Sequence, residues 1–395
     1  MSSIVGFIKR FNAAFLNPPV AASAAGGSTP LKFGILGAAN IAPPALVTPA
    51  KSHPDVEVYA VAARDIKRAE SYAKKHGIKK WFGGQDGYQE LLNDPAIDVI
   101  YNPLPNGLHY EWTMKALTAG KHVLLEKPSS DTAAETRRMF EFAAQKGLVL
   151  LEAFHYRFHP AIQRVKEIID SGELGAVKEV NAALCFPKGF VGADNIRMNY
   201  DIGGGAMMDC GCYPLSCVRY LTQSNPSAVT SATAVRYPKD PRIDTATSAD
   251  LLFPPSIPGA EPIKASIKCD FSVPPRLGFI PRWPELSVLA KCERGSVELY
   301  NFPMPVIYHS ITVSLDGGKT RTEKAYAFGS SSGLKGEEWY RYQLEAFVDK
   351  VRGRTPQTWM SSEDSIANME WIEKIYEETG LGSRPESSFQ LSATE

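Results

Sequence analysis

From residue 31 to about 154 the chain alternates short apolar runs with helix-like segments, and this constrains the fold more than any other feature. Such alternation implies a parallel sheet joined by crossover helices. Its first unit, Phe33-Gly34-Ile35-Leu36-Gly37-Ala38-Ala39-Asn40-Ile41-Ala42, reads as strand, tight turn and helix start. Pro43 and Pro44 fit only a helix's first turn, so they place a helix N-terminus here. Apolar runs at 56–62, 98–101, 123–125 and 148–151 supply further strands, and the helix after the run at 98–101 stops at Gly120. The pattern is doubly wound, and ligands of such sheets bind beyond the carboxyl ends of the strands.

After Phe154 the texture changes. A helix over 160–170 precedes strand-like runs at 177–186, 228–237, 263–273, 287–289, 297–300 and 307–315, separated by proline-rich turns such as Phe253-Pro254-Pro255. Many strands with few helices between them imply an α+β domain with a large, mostly antiparallel, open-faced sheet. Leu344, Phe347, Val348 and Val351 then follow helical spacing, with Gly353 as the stop and Ser362 opening a last helix. The expected organisation is an arm or linker over 1–30 and an α/β Rossmann domain over 31–154. An α+β substrate-binding and dimerisation domain follows over 155–395, and its helices within 337–381 are placed to pack back on the first domain.

The 395 residues suit two cores better than one. Lys plus Arg and Asp plus Glu are 43 each, so no overall charge points to nucleic acid or an anionic membrane. No apolar run approaches the roughly 18 to 20 residues that span a bilayer. Cys210, Cys212 and Cys217 cluster without a second pair at zinc-site spacing, so no metal is expected and the cysteines read as buried thiols. Near the start, Ile4, Phe7, Phe11 and Phe15 line one helical face beside Lys9 and Arg10, and no acidic residue precedes Asp55. That pattern permits a mitochondrial presequence. It equally suits an arm that packs its aromatics on the body of a cytoplasmic protein, and the cytoplasm is the expected location.

Four constellations carry chemistry. In the first turn Gly37 and Ala42 occupy the outer glycine positions of a dinucleotide fingerprint, while Ala39 replaces the middle one. The second strand ends in Ala63-Arg64-Asp65, with Lys67 and Arg68 close behind. Arg64 and Arg68 suit a 2′-phosphate, Asp65 suits a helix cap, and NADP is expected over NAD. Glu126-Lys127-Pro128 ends the apolar run Val123-Leu124-Leu125. A lysine leaving a buried strand must find partners or lose its proton near neutral pH. Finally, Gly203-Gly204-Gly205 opens a segment in which Asp209 and Tyr213 stand four apart, on one helical face. A carboxylate and a phenol there can bind a sugar hydroxyl and relay its proton; a buried, locally satisfied Asp and a core Tyr would look the same.

Over about 31–381 the chain resembles the glucose-fructose oxidoreductase/inositol dehydrogenase (Gfo/Idh/MocA) family. The resemblance rests on the turn at 34–42, the segment from Pro103 to His109, Glu126-Lys127-Pro128, the segment from Glu152 to Pro160 and the segment from Gly203 to Tyr213, in family order. It is most similar to the branch of NADP-dependent D-xylose dehydrogenases and dimeric dihydrodiol dehydrogenases; much of the wider family has histidine where Tyr213 stands. The resemblance implies that Lys127 and Tyr213 are catalytic and that Asp209 orients substrate or tunes the pair. It implies cofactor contacts from Gly37, Ala38, Ala39, Asn40, Ile41, Arg64, Arg68, Pro103, Leu104, Asn106, His109, Glu126, Lys127 and Arg157. Substrate would meet Lys127, Tyr156, Arg197, Asp209 and Tyr213, and a homodimer would form through the open sheet face.

The implied reaction is oxidation of a cyclic aldose, of D-xylose or D-glucose type, at its anomeric carbon to the lactone. Two assignments of the base stay open. The Lys127 ammonium could lower the pKa of Tyr213, or neutral Lys127 could be the base itself. A trans-dihydrodiol or a carbonyl compound is the alternative substrate, and an NADP-sensing regulatory protein is the alternative of another class.

Overall fold

A computed structural model describes residues 4–12, 29–192, 195–256, 259–280, 282–328 and 341–391. After a first helix, α1 (Ile4–Phe11), come β1 (Leu31–Leu36), a π-helical turn running into α2 (Thr48–Lys51), β2 (Val56–Ala63), α3 (Ile66–His76) and β3 (Lys80–Gly83). Then follow α4 (Gly87–Leu92), β4 (Val99–Asn102), α5 (His109–Thr118), β5 (His122–Leu125), α6 (Ala133–Gln145) and β6 (Leu150–Glu152). The six strands form one parallel sheet in the order β3-β2-β1-β4-β5-β6. Successive side chains of β1 show why both faces are covered: Phe33 and Ile35 join one core and Leu36 another. The strand order reverses between β1 and β4, which opens the crevice where the turn after β1 faces the segment after β4.

The second sheet has eight strands. The chain passes through α7 (Pro160–Asp170), β7 (Val177–Pro187), α8 (Cys212–Thr222), β8 (Ala228–Tyr237), β9 (Asp240–Phe253), β10 (Ile263–Val273), β11 (Ser287–Cys292), β12 (Gly295–Tyr300), β13 (Ser310–Leu315) and β14 (Thr320–Glu323). Their order is β14-β13-β12-β11-β7-β10-β9-β8, and only the β7–β10 pair is parallel. Along β10, Ile263, Ala265, Ile267, Cys269 and Phe271 are buried while Lys264, Ser266 and Lys268 are exposed, so one face is core and the other is open. Strand β9, the longest, escapes the sequence reading because Thr, Ser and Asp fill the outward positions between Ile243, Leu251 and Phe253.

The last helices, α9 (Arg341–Val351) and α10 (Ser362–Glu378), return to the first sheet's layer. Phe347 meets Phe33 with ring centres 6.1 Å apart, and Glu370 pairs with Arg137 of α6 at 2.8 Å. Along the N-terminal arm burial is uneven. Phe7 and Phe11 are both about two-fifths exposed, whereas Arg10 is buried with its guanidinium 3.9 Å from the ring centre of Tyr326. A cation on an aromatic face therefore helps to seat the arm. Phe15 lies outside the described residues. Among the described residues no helix is long and apolar enough to cross a membrane.

Candidate active site

The turn after β1 is shaped by its neighbours. Gly37 has φ +85°, its N–H donates to Ala62 O at 2.7 Å, and a Cβ there would sit 3.1 Å from the Leu104 side chain. A side chain at this position would strain the backbone and fill the crevice. The carbonyls of Ala38 and Ala39 accept from Arg68 Nη2 (3.1 Å) and Tyr72 Oη (3.0 Å), while Asn40 and Ile41 are exposed. Asp65 caps α3, accepting from the N–H groups of Lys67 (2.8 Å) and Arg68 (3.1 Å). Its carboxylate is thus turned onto its own helix, leaving exposed Arg64 and Arg68 at the tip of β2. A donor set of two guanidiniums fits a 2′-phosphate better than the bare hydroxyls of a ribose.

The charged centre lies at the end of β5. There Lys127 Nζ donates to Asp209 Oδ1 (3.1 Å) and to the Asp209 carbonyl (2.9 Å). Arg197 Nε reaches Asp209 Oδ2 at 2.5 Å, and Arg197 is itself oriented by Asn195 Oδ1 at 3.1 Å. The side chains of Lys127 and Asp209 are only 12% and 19% exposed, so this pair is largely shielded from water, while Arg197 closes the chain from a half-exposed position. Burial alone would lift the Asp209 pKa, but Lys127 and Arg197 outweigh it and hold the carboxyl far below the ordinary range. Burial alone would lower the pKa of Lys127; the Asp209 carboxylate overrides this and raises the lysine above its ordinary value.

Tyr213 stands at the start of α8, just after the π-helical turn Met207–Gly211 that carries Asp209. Its ring packs edge-on with Phe154 (5.4 Å) and His155 (5.7 Å) and at a tilt with Tyr156 (6.0 Å). Lys127 Nζ lies 5.0 Å from the ring centre, facing the π-cloud. Burial pushes the phenol well above its ordinary pKa, with Glu126 acting in the same direction. Burial thus favours the neutral phenol while the Asp209 carboxylate favours the charged lysine, and the choice of base between Tyr213 and Lys127 turns on which of the two gives way when substrate binds.

The remaining predicted residues divide by position. Pro103 and Leu104 are buried at the end of β4, and Asn106 Nδ2 donates to the Gly203 carbonyl at 2.9 Å, joining the two halves across the cleft. His109 is fully buried between the carbonyls of Leu104 (2.7 Å) and Pro128 (2.8 Å), so it braces the segments that carry Asn106 and Lys127. Glu126 is buried and accepts from Tyr101 Oη at 2.6 Å. Two placements depart from expectation. Tyr156 is fully buried and shares a hydrogen bond with Ser216 (2.8 Å), which removes it from substrate. Arg157 is buried against Asp364 (2.8 Å) and the face of Tyr220 (3.9 Å), so it anchors α10 rather than the cleft mouth. His155 and His159 are likewise internal, bonded to Pro303 O and to the Ala161 N–H. Sequence reading passed over Asn195, whose only signal is its place two residues before Arg197, and Cys210, whose thiol lies 3.4 Å from Asp209 Oδ2.

A Rossmann sheet whose crevice meets a second, open-faced sheet, with a lysine–aspartate pair at the junction, defines a two-lobed oxidoreductase. The family model described as "Oxidoreductase family, NAD-binding Rossmann fold" matches residues 31–154, and that of the GFO/IDH/MocA C-terminal domain matches 162–298. The chain is 34% identical to D-xylose 1-dehydrogenase (NADP(+)) 2 of Haloferax volcanii over 359 residues, 90% of this chain and 99% of that enzyme. It is 31% identical to trans-1,2-dihydrobenzene-1,2-diol dehydrogenase of Bos taurus over 63% of this chain and 72% of the relative. KijD10, a 3-ketoreductase from Actinomadura kijaniata solved with NADP and TDP-benzene, shares the fold with a TM-score of 0.72 at 24% identity, covering 87% of this chain and 96% of that one. This chain belongs to the Gfo/Idh/MocA family of oxidoreductases.

Proposed function

We propose that the protein is an NADP-dependent dehydrogenase that oxidises a cyclic aldose, of D-xylose or D-glucose type, at its anomeric carbon to the lactone. The observation that carries this reading is the Lys127–Asp209–Arg197 chain at the carboxyl end of β5. The near full-length similarity to a D-xylose dehydrogenase supports the substrate class. Gly37, Ala38, Ala39, Asn40, Ile41, Arg64, Arg68 and Leu104 would hold the dinucleotide. When bound, NADP supplies the hydride acceptor.

The protein's own groups handle the proton. A substrate oxygen beside Lys127 would be stabilised as it gains negative charge. In carbonyl reduction the Lys127 ammonium gives its proton to that oxygen. In oxidation Lys127 must first be neutral to take the hydroxyl proton, and Asp209 opposes that loss. Oxidation therefore accelerates as pH rises and reduction as pH falls. Tyr213, neutral across the working range, serves as a hydrogen-bond donor to the same oxygen. NADPH absorbance with a panel of aldoses and diols tests the assignment; tight NADP binding without turnover on any of them would leave a regulatory, cofactor-sensing role.

A second reading, oxidation of a trans-dihydrodiol, draws on the mixed lining of the cleft. Pro105, Ile196 and Ile202 stand there beside Asn106, Arg197 and Asp209. Under either reading the open face of the eight-stranded sheet is proposed to pair with a second copy, which sedimentation would register as a dimer.

A further inference from the structure

Beyond α10 the chain runs across both lobes, and its centre passes directly beneath the active-site loop. Arg384 is 2% exposed. Its Nε donates to the Gly204 carbonyl at 2.8 Å, and its Nη2 lies 3.1 Å from Asp244 Oδ1. Asp244, fully buried on β9, accepts from Tyr376 Oη on Oδ1 (2.8 Å) and from Thr247 Oγ1 and the Met207 N–H on Oδ2 (both 2.7 Å). The Met207 N–H opens the π-helical turn that carries Asp209. Gly205, at φ +140°, is pressed against this cluster: a Cβ there would fall 2.4 Å from Asp244 Oδ1 and 2.6 Å from Arg384 Nη2. On either side the tail is tied down. Ser383 O accepts from Tyr200 Oη (3.2 Å), the Ser387 N–H donates to Glu135 (2.6 Å), Glu386 pairs with Arg138 (3.3 Å), and Phe389 meets Tyr110 (6.3 Å).

We propose that Arg384 is a positioning residue for catalysis: with Asp244 it fixes the Gly204–Met207 backbone, and through it the Asp209 carboxylate that holds Lys127 Nζ. The two matched family regions end at residue 298, so nothing in them assigns this role. A buried ion pair bonded to loop carbonyl and helix N–H alike leaves that loop one low-energy arrangement. Loss of the guanidinium leaves Asp244 short of a partner and the Gly204 carbonyl without its donor. The proposal rests on the dehydrogenase reading for its kinetic consequences, not for its structural ones.

The test uses the full chain with Arg384→Ala and Arg384→Lys. Hydrogen exchange without ligands is read over residues 203–210 and, as an internal control, over 37–42. Turnover, KM values and pH profiles are then measured with the best substrate of the panel. Arg384→Ala is expected to exchange faster at 203–210 and normally at 37–42. Its kcat should fall about 10–100-fold, as displacement of catalytic groups does, with KM for NADP unchanged. The rising limb of the oxidation profile should move to lower pH, because Asp209 grips Lys127 less firmly, and added guanidinium should restore part of the rate. Uniformly faster exchange, or an unmoved pH limb with normal exchange at 203–210, would overturn the proposal. Should Arg384→Ala fail to fold, Arg384→Lys, which keeps the charge but loses the fork, carries the same readouts. Wild-type protein without turnover would defeat the dehydrogenase reading alone, since the exchange pattern still decides the positioning role.

Discussion

At the tip of β2, Arg64 and Arg68 stand exposed, with the neighbouring carboxylate of Asp65 turned away into a helix cap. At the tip of β5, Lys127 is enclosed and locked to Asp209. Under the proposed function both serve one crevice: the first pair would take its anion from the dinucleotide, whereas Lys127 already holds Asp209. An exposed guanidinium contributes binding strength that salt screens and that a single substitution trims. An enclosed, paired ammonium sets a protonation state, and removing Asp209 leaves Lys127 and Arg197 without their shared counter-charge, at a cost of about 3–5 kcal/mol for a buried pair. The two sites should therefore fail differently, one in affinity and the other in turnover.

Lys127→Ala is the harshest trial of that contrast. It removes both the proton donor or acceptor and the charge beside the substrate oxygen, so turnover should drop by about 10³-fold or more, equivalent to roughly 4 kcal/mol of barrier. NADP affinity, measured by fluorescence titration, should change little. A variant with near-normal turnover would remove Lys127 from the chemistry.

Asp209→Asn comes next. The lysine's pKa is raised because the carboxylate outweighs burial; with a neutral amide in its place, burial prevails and the pKa falls. The pH at which oxidation reaches half its plateau should then drop, while reduction, which needs the ammonium, should weaken by about 10²-fold at neutral pH. An oxidation limb at unchanged pH would show that Asp209 does not set the state of Lys127. In the cofactor half, Arg64→Ala and Arg68→Ala should raise KM for NADP by about tenfold each, the scale of one charge-assisted contact. Their kcat should hold and their NAD kinetics should barely move. Equal losses with NAD and NADP would detach these arginines from the 2′-phosphate.

The same contrast explains what the sequence disclosed. Alternating strand and helix runs made the Rossmann sheet legible, because a sheet buried on both faces writes itself as continuous apolar segments. Arg64, Asp65 and Arg68 were readable too, since a strand tip and a helix cap are local events. Strand β9 was not: its outward Thr, Ser and Asp face solvent, and only the sheet partners on either side declare it. Tyr156 and Arg157 carried the right chemistry beside the site motif, yet their side chains point into the core, a choice made by Ser216, Asp364 and Tyr220 from distant segments. The link between Arg384 and Asp209 spans 175 positions and runs through Asp244 and Met207, and no spacing in the sequence encodes it.

Tyr213→Phe gives the smallest effect and the finest discrimination. Burial, reinforced by Glu126, pushes the phenol's pKa up and favours its neutral form, and Lys127 Nζ lies over the ring, 5.0 Å from its centre. A neutral donor that only hydrogen-bonds the substrate oxygen contributes about 1–1.5 kcal/mol, so turnover should fall about tenfold. The rising limb of the oxidation profile, set by Lys127, should stay where it is. If the limb vanishes with the hydroxyl, Tyr213 is the group that titrates, and the bound substrate or cofactor must have lowered a pKa that the ligand-free site keeps high. If the limb stays, the proton passes through Lys127, and the tyrosine's part is to hold the oxygen in place while it does.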